Sequence, residues 1–218
     1  SDSRFISVPK TDVFNANFIV EDMLKRNPKV KDMFRFDTYV GGSGFDGSCT
    51  GIYDLMNEYC AYYNGTSTAF ILYEVFKDKN SDLDYFNCTS EEKLSLYMER
   101  KLAASMMGSV TAFYEFNSFI GAYLIYAKEN YNEVYTDIIN NSLLVESYST
   151  VTYNFSVIAE KIHEYFPEHN FRIVTESGSG SITYGNNESL LLSQEIFNDY
   201  VNVLNEFSNS TNLLLTRK

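Results

Sequence analysis

Apolar residues recur along most of this chain at intervals of three and four, the spacing that gathers them on one face of an α-helix. Ile19, Val20, Met23 and Leu24 form the first stripe. Asn27-Pro28 ends it, because the residue ahead of a proline avoids the α region. Pro28 suits the first position of a second short helix carrying Val30, Met33 and Phe34. Ile52, Leu55, Met56, Tyr59, Cys60 and Tyr63 make the next stripe, which Asn64-Gly65 is expected to close. Between Thr68 and Lys77 the apolar residues Phe70, Leu72, Val75 and Phe76 fit a strand or a helix, and helix is preferred.

Thr89-Ser90-Glu91-Glu92 has the capping-box pattern and predicts a helix start. Its stripe runs Leu94, Met98, Leu102, Met106, Val110, Phe113, then Ile120, Leu124, Tyr131, Val134, Tyr135, Ile138 and Ile139. Periodicity beyond about 25 residues without caps is unusual, so a break is expected near Gly108-Ser109 or Asn130. Ala104, Gly108 and Ala112, four apart, would let another backbone approach closely. From Leu102 to Ala127 the only charge is Glu115, and the stretch is long enough to span a bilayer. A central acid costs roughly 2.5–3.5 kcal/mol on insertion scales, and five polar side chains accompany it, so a buried core helix is the better reading.

Ser147 to Phe166 predicts a further helix, with Val151, Phe155, Ile158, Ile162 and Tyr165 inward and Pro167 beyond it. The period then changes. Phe171 to Thr175 and Ser181 to Tyr184 flank Ser177-Gly178-Ser179-Gly180, which predicts a β-hairpin. Asn187-Glu188-Ser189 caps a last helix carrying Ile196, Phe197, Val201, Leu204 and Phe207. The expected fold is mainly α (α+β): a multi-helix body, a small C-terminal β-hairpin and a final helix. It is read as one domain over 1–218, with a glycine-rich loop at 41–47, a helical body at 48–166 and the hairpin plus helix at 171–208.

Composition narrows the function. The 44% hydrophobic and 16% aromatic content excludes a disordered chain. A net charge of −12 excludes nucleic acid, whose binding depends on Lys and Arg neutralising phosphates, and direct docking on an anionic membrane. No cofactor is expected. The chain opens at Ser1-Asp2-Ser3 and closes on Thr216-Arg217-Lys218 after Leu213-Leu214-Leu215, as an ectodomain cut beside an anchor would. Asn64, Asn87, Asn140, Asn154, Asn187 and Asn209 each head an Asn-X-Ser/Thr sequon and are glycosylation candidates. Together these favour an extracytoplasmic setting.

Candidate chemistry is sparse. Cys49 comes after the glycine-rich loop at the start of a predicted helix, where amide donors and the helix dipole favour a thiolate. Asp46-Gly47-Ser48-Cys49 is similar to the D-G-x-C pattern around the nucleophile of ovarian-tumour-type cysteine proteases, although Ile52-Tyr53-Asp54 departs from the aromatic-Arg-Ala continuation of that pattern. That resemblance implies Cys49 as nucleophile with His169 or His163 as base and Asp46 nearby. Cys60 is ~16 Å along the same helix, so any disulfide must join Cys88 to Cys49 or Cys60 and leave an odd thiol. Three free cysteines are the rival reading. Asp78, Asn80, Asp82 and Asp84 alternate as calcium ligands do, but Leu83 stands where a calcium loop needs glycine. Tyr53 and Tyr62, in a dense aromatic group, are candidates for lining a ligand pocket. The preferred expectation is a non-catalytic, extracytoplasmic domain that binds a small ligand or another protein. A Cys49-dependent hydrolase and an acidic intracellular or viral interaction protein are the alternatives.

Overall fold

The computed structural model describes residues 13–42, 49–166 and 187–208. Its axis is one long helix, α3 (Ser90–Asn130), against which all the other α-helices pack. These are α1 (Val20–Arg26), α2 (Ile52–Lys79), α4 (Asn132–Asn140), α5 (Ser142–Tyr165), α6 (Asn187–Asn198) and α7 (Val201–Phe207). Short 3-10 turns at Ala16–Ile19 and Pro28–Asp32, and a π turn at Asp37–Gly41, carry the N-terminal segment around α3. The fold is mainly α, and no strand occurs among the described residues. The hairpin expected at 171–184 lies outside them, as does most of the glycine-rich loop.

The capping box forms as the sequence predicts. The Glu92 amide donates to Thr89 Oγ1 at 3.3 Å, and the Thr89 amide and hydroxyl each donate to Glu92 Oε2 at 2.7 Å. From there α3 runs 41 residues with no break at Gly108-Ser109, and ends at the alternative place, Asn130. Beyond its own helix backbone and chain neighbours, nothing lies within 4 Å of where a Gly108 Cβ would stand, so no close approach occurs at Gly108, although Ala104 and Ala112 of the same row are buried. It occurs instead at Gly121, where a Cβ would meet Tyr200 Cβ at 2.5 Å.

Asn64-Gly65 does not close α2 either. Asn64 Nδ2 donates to the Cys60 carbonyl and Thr66 Oγ1 to the Tyr62 carbonyl, which leaves the ladder unchallenged. Tyr59 on one side of the pair and Ala69 and Tyr73 on the other are buried, and their packing outweighs the ~1 kcal/mol that a helical glycine costs. The single last helix expected from the sequence is two, because Asp199-Tyr200 breaks it to seat the Tyr200 ring against α3.

Helices α2 and α3 run antiparallel. Asn80, at the end of α2, accepts from Ser95 Oγ and donates to Glu99 Oε2, near the start of α3. At the other end Asn117 Nδ2 donates to Tyr59 Oη at 2.9 Å. Helix α5 runs alongside α2, matching Phe155 to Tyr59 and Tyr165 to Phe70. The main core lies where α2, α3 and α5 meet, with Tyr59, Phe116, Phe119, Tyr123, Tyr148 and Phe155 fully buried. Among the described residues no helix is long and apolar enough to cross a membrane, and Glu115, the lone charge of Leu102–Ala127, is wholly buried.

Candidate functional site

The buried polar groups are structural bolts. Asn117 sits at the centre of one set, accepting from Tyr148 Oη at 2.6 Å and donating to Tyr59 Oη and the Phe113 carbonyl. Tyr59 donates in turn to Thr152 Oγ1, which ties α2, α3 and α5 together. Burial pushes both tyrosine hydroxyls well above their ordinary range, so they stay protonated as donors.

A second set fixes the N-terminal segment. Arg35 donates to Glu115 Oε2 at 2.8 Å and to the Gly108 carbonyl at 3.1 Å. Its guanidinium carbon lies 4.5 Å from the Tyr62 ring centre and 5.2 Å from that of Phe34. Burial raises the Glu115 pKa more than Arg35 lowers it. Tyr62, a candidate ligand contact, therefore packs under Arg35, and its hydroxyl meets that of Tyr39 at 3.3 Å. Tyr53, the other, accepts from Asn141 Nδ2 at 3.3 Å. The two are not brought together around a described cavity.

Cys49 stands just ahead of α2, as expected, but buried. Its amide donates to the Tyr39 carbonyl and its carbonyl accepts from the Ala16 amide, so it joins the N-terminal wrap to α2. Burial first, then Asp54 and Glu58, push its thiol up to about 12, the reverse of an activated nucleophile. Asp54, in the first turn of α2, accepts from the amide and hydroxyl of Thr50 just ahead of the helix. His163 lies near the level of Phe70, about 25 Å along α2 from Cys49. Asp46 and His169 are outside the described residues.

All three cysteines are free thiols. Cys60 is about 28 Å short of the far end of α2, while Cys88 lies beyond that end with its thiol on the Asp84 carbonyl. The far half of α2 would have to open to join them. The alternating acidic residues do not converge on a cation position. Asn80 turns inward to α3, and Asp84 accepts from the Phe86 amide and Asn87 Nδ2 as the cap of the 3-10 turn Tyr85–Asn87. Among the sequon residues, Asn64, Asn87 and Asn140 are exposed and Asn154 is half-buried, while Asn187 opens α6 and Asn209 is outside the described residues.

The feature that local sequence patterns do not announce is the distal half of the α2–α3 hairpin. On α2, Phe70 and Lys77 lie toward α5 through Tyr165. Leu72, Val75 and Phe76 fall on the other side at 100° per residue. On α3, Tyr114 meets α6 through Phe197, and Leu94 and Met98 fall on the flank turned away, while Leu102 packs against the cluster of Ala103, Met106 and Ile162. In the antiparallel pair, helical periodicity places both rows on the same flank. Near the core, the N-terminal segment reaches this flank at Arg35, which donates to the Gly108 carbonyl; farther out, large apolar side chains on it are exposed. Leu72 is 43% exposed, Val75 59%, Leu94 59% and Met98 39%, with Phe86 at the tip 89% exposed. One signal is present in the sequence, since Leu94, Met98 and Leu102 step by four and each step advances 40° around the helix. The row walks off the inward face, which Ser95, Ala103 and Met106 occupy.

Comparison with protein-family models, curated proteins and solved structures finds no match to this chain.

Proposed function

We propose that this chain is a non-catalytic protein-interaction domain, and that the free flank of the α2–α3 hairpin is its contact surface. The observation that carries this reading is the group of large apolar side chains, Leu72, Val75, Leu94 and Met98, left exposed on one flank of the two-helix ribbon. Contiguous apolar surface of this kind marks interaction sites, whereas single exposed apolar residues do not. The buried, protonated thiol of Cys49 supports no nucleophilic role. An extracytoplasmic setting rests on the sequons, three of which are exposed. Glycan mass at Asn64, Asn87 or Asn140 in the chain isolated from its source would test it.

The contact reading is tested by thermal unfolding of the Leu72→Asp, Leu94→Asp double variant at low micromolar concentration. Exposed side chains that serve an outside partner contribute little to the fold, so a change within about 0.5 kcal/mol per site is expected. A loss of about 2–5 kcal/mol per site, typical of core truncations, would show that the flank belongs to the core and overturn the reading.

A further inference from the structure

Resting on that contact-surface reading, we propose that the occupant of the free flank is a second copy of this chain, related by a two-fold axis that lays the two hairpins flank to flank and tip to base. A two-fold contact needs one patch that complements itself. This flank has that property. Met98 stands near its middle, about 15 Å along α3 from Gly108, where Arg35 is anchored, and about 14 Å from the cap at Thr89. Phe34 beside Arg35 is 77% exposed and Phe86 at the tip 89%, so the most exposed aromatic rings lie at opposite ends. An antiparallel pairing about Met98 sets each Phe86 near the other copy's Phe34 and the two Leu–Val–Met rows against each other.

Charge and exposure agree. The stretch 71–101 carries seven acidic and five basic residues, so ten of the chain's twelve net negative charges lie elsewhere. Two hairpins, each with a net charge near zero, can therefore meet with little repulsion, whereas the more acidic remainder of two copies repels. The side chains this pairing would cover, Leu72, Val75, Leu94, Met98, Phe34 and Phe86, are all large and 39–89% exposed, and a stable complex buries roughly 800 Å² on each partner.

Sedimentation equilibrium of the whole chain, from low micromolar to about 100 µM, tests this. The expected result is a rise from 25.0 kDa toward twice that mass, stronger at physiological than at low salt because screening relieves the mutual repulsion. The Leu72→Asp, Leu94→Asp variant, whose substitutions are on the surface, is expected to associate at least about tenfold more weakly. A wild-type chain that stays at 25.0 kDa throughout overturns the second-copy proposal. If the variant's unfolding is also unchanged, the contact surface stands and takes a different protein. A variant that dimerises as well as wild type overturns the proposal too, by placing the contact elsewhere.

Discussion

Glu115 and Arg35 hold the N-terminal segment to α3 through one ion pair of 2.8 Å, both side chains nearly or wholly shut from solvent. Removing one member leaves the other charge buried alone, so Arg35→Ala is expected to cost about 3–5 kcal/mol, read by urea unfolding. The pH dependence has a definite sign. Glu115 has a raised pKa in the folded state, so the folded chain holds that proton more tightly than the unfolded one. Its contribution to stability is present below the ordinary value of 4.5 and is lost as pH rises through the raised folded value. The stability of wild type relative to Glu115→Gln is therefore expected to fall between pH 4.5 and neutrality; a relative rise would show that the ion pair outweighs burial. Cys49 gives an independent check. Burial and the nearby carboxylates predict slow iodoacetamide labelling at pH 6–7, and rapid labelling of Cys49 ahead of Cys60 would restore the nucleophile reading.

At the scale of the elements, the start of α3 and the seat of Tyr200 are the most sharply specified features. Thr89→Ala removes the hydroxyl that satisfies the Glu92 amide and is expected to cost about 1 kcal/mol. Glu92 titrates in the opposite sense from Glu115. The Thr89 hydroxyl and amide hold its pKa below the usual carboxylate range, so its contribution is present at neutral pH and lost as pH falls through that lowered value. Circular dichroism of wild type against Glu92→Gln should show the difference closing in acid. Gly121→Ala would place a methyl against Tyr200 Cβ, which is part of the α6–α7 backbone step and cannot swing aside. Overpacking of about 1–3 kcal/mol is expected, visible as a lower melting point, while Gly108→Ala, which meets open space, should be neutral or stabilising. Equal effects at the two glycines would contradict the packing described.

The same elements show what a sequence can carry. The capping box, the stripe from Ile52 to Tyr59 and the helical reading of Thr68–Lys77 come from local chemistry, and the chain folds accordingly. Asn64-Gly65 does not stop its helix because a breaker competes with packing on both sides of it, and that packing is tertiary. The exposed row is hidden for a related reason: apolar spacing marks a face, but only neighbouring helices decide whether anything covers it. Likewise the place of Cys49 at a helix start suggests a thiolate, whereas its ionisation is set by burial and by carboxylates on the next turns. Tyr62 is visible in the sequence as an aromatic in the right region, but the guanidinium above it comes from a residue 27 positions earlier, a relation that no local pattern encodes.

Among the described residues the hairpin is asymmetric: α5 and α6 pack along one side of it, the N-terminal wrap holds its base, and large apolar side chains on the distal flank are exposed. The methionines report on this directly. Met98 is 39% exposed on the flank, while Met23, Met33, Met56, Met106 and Met107 are all buried, and these six are all the methionines of the chain. Oxidation of a thioether by peroxide tracks its exposure. Brief treatment of the folded chain with hydrogen peroxide at low micromolar protein concentration, then peptide mass spectrometry, is expected to convert Met98 to the sulfoxide well before the other five. Oxidation of Met98 no faster than Met106 would show that the flank is covered within the single chain and would contradict its role as a contact surface.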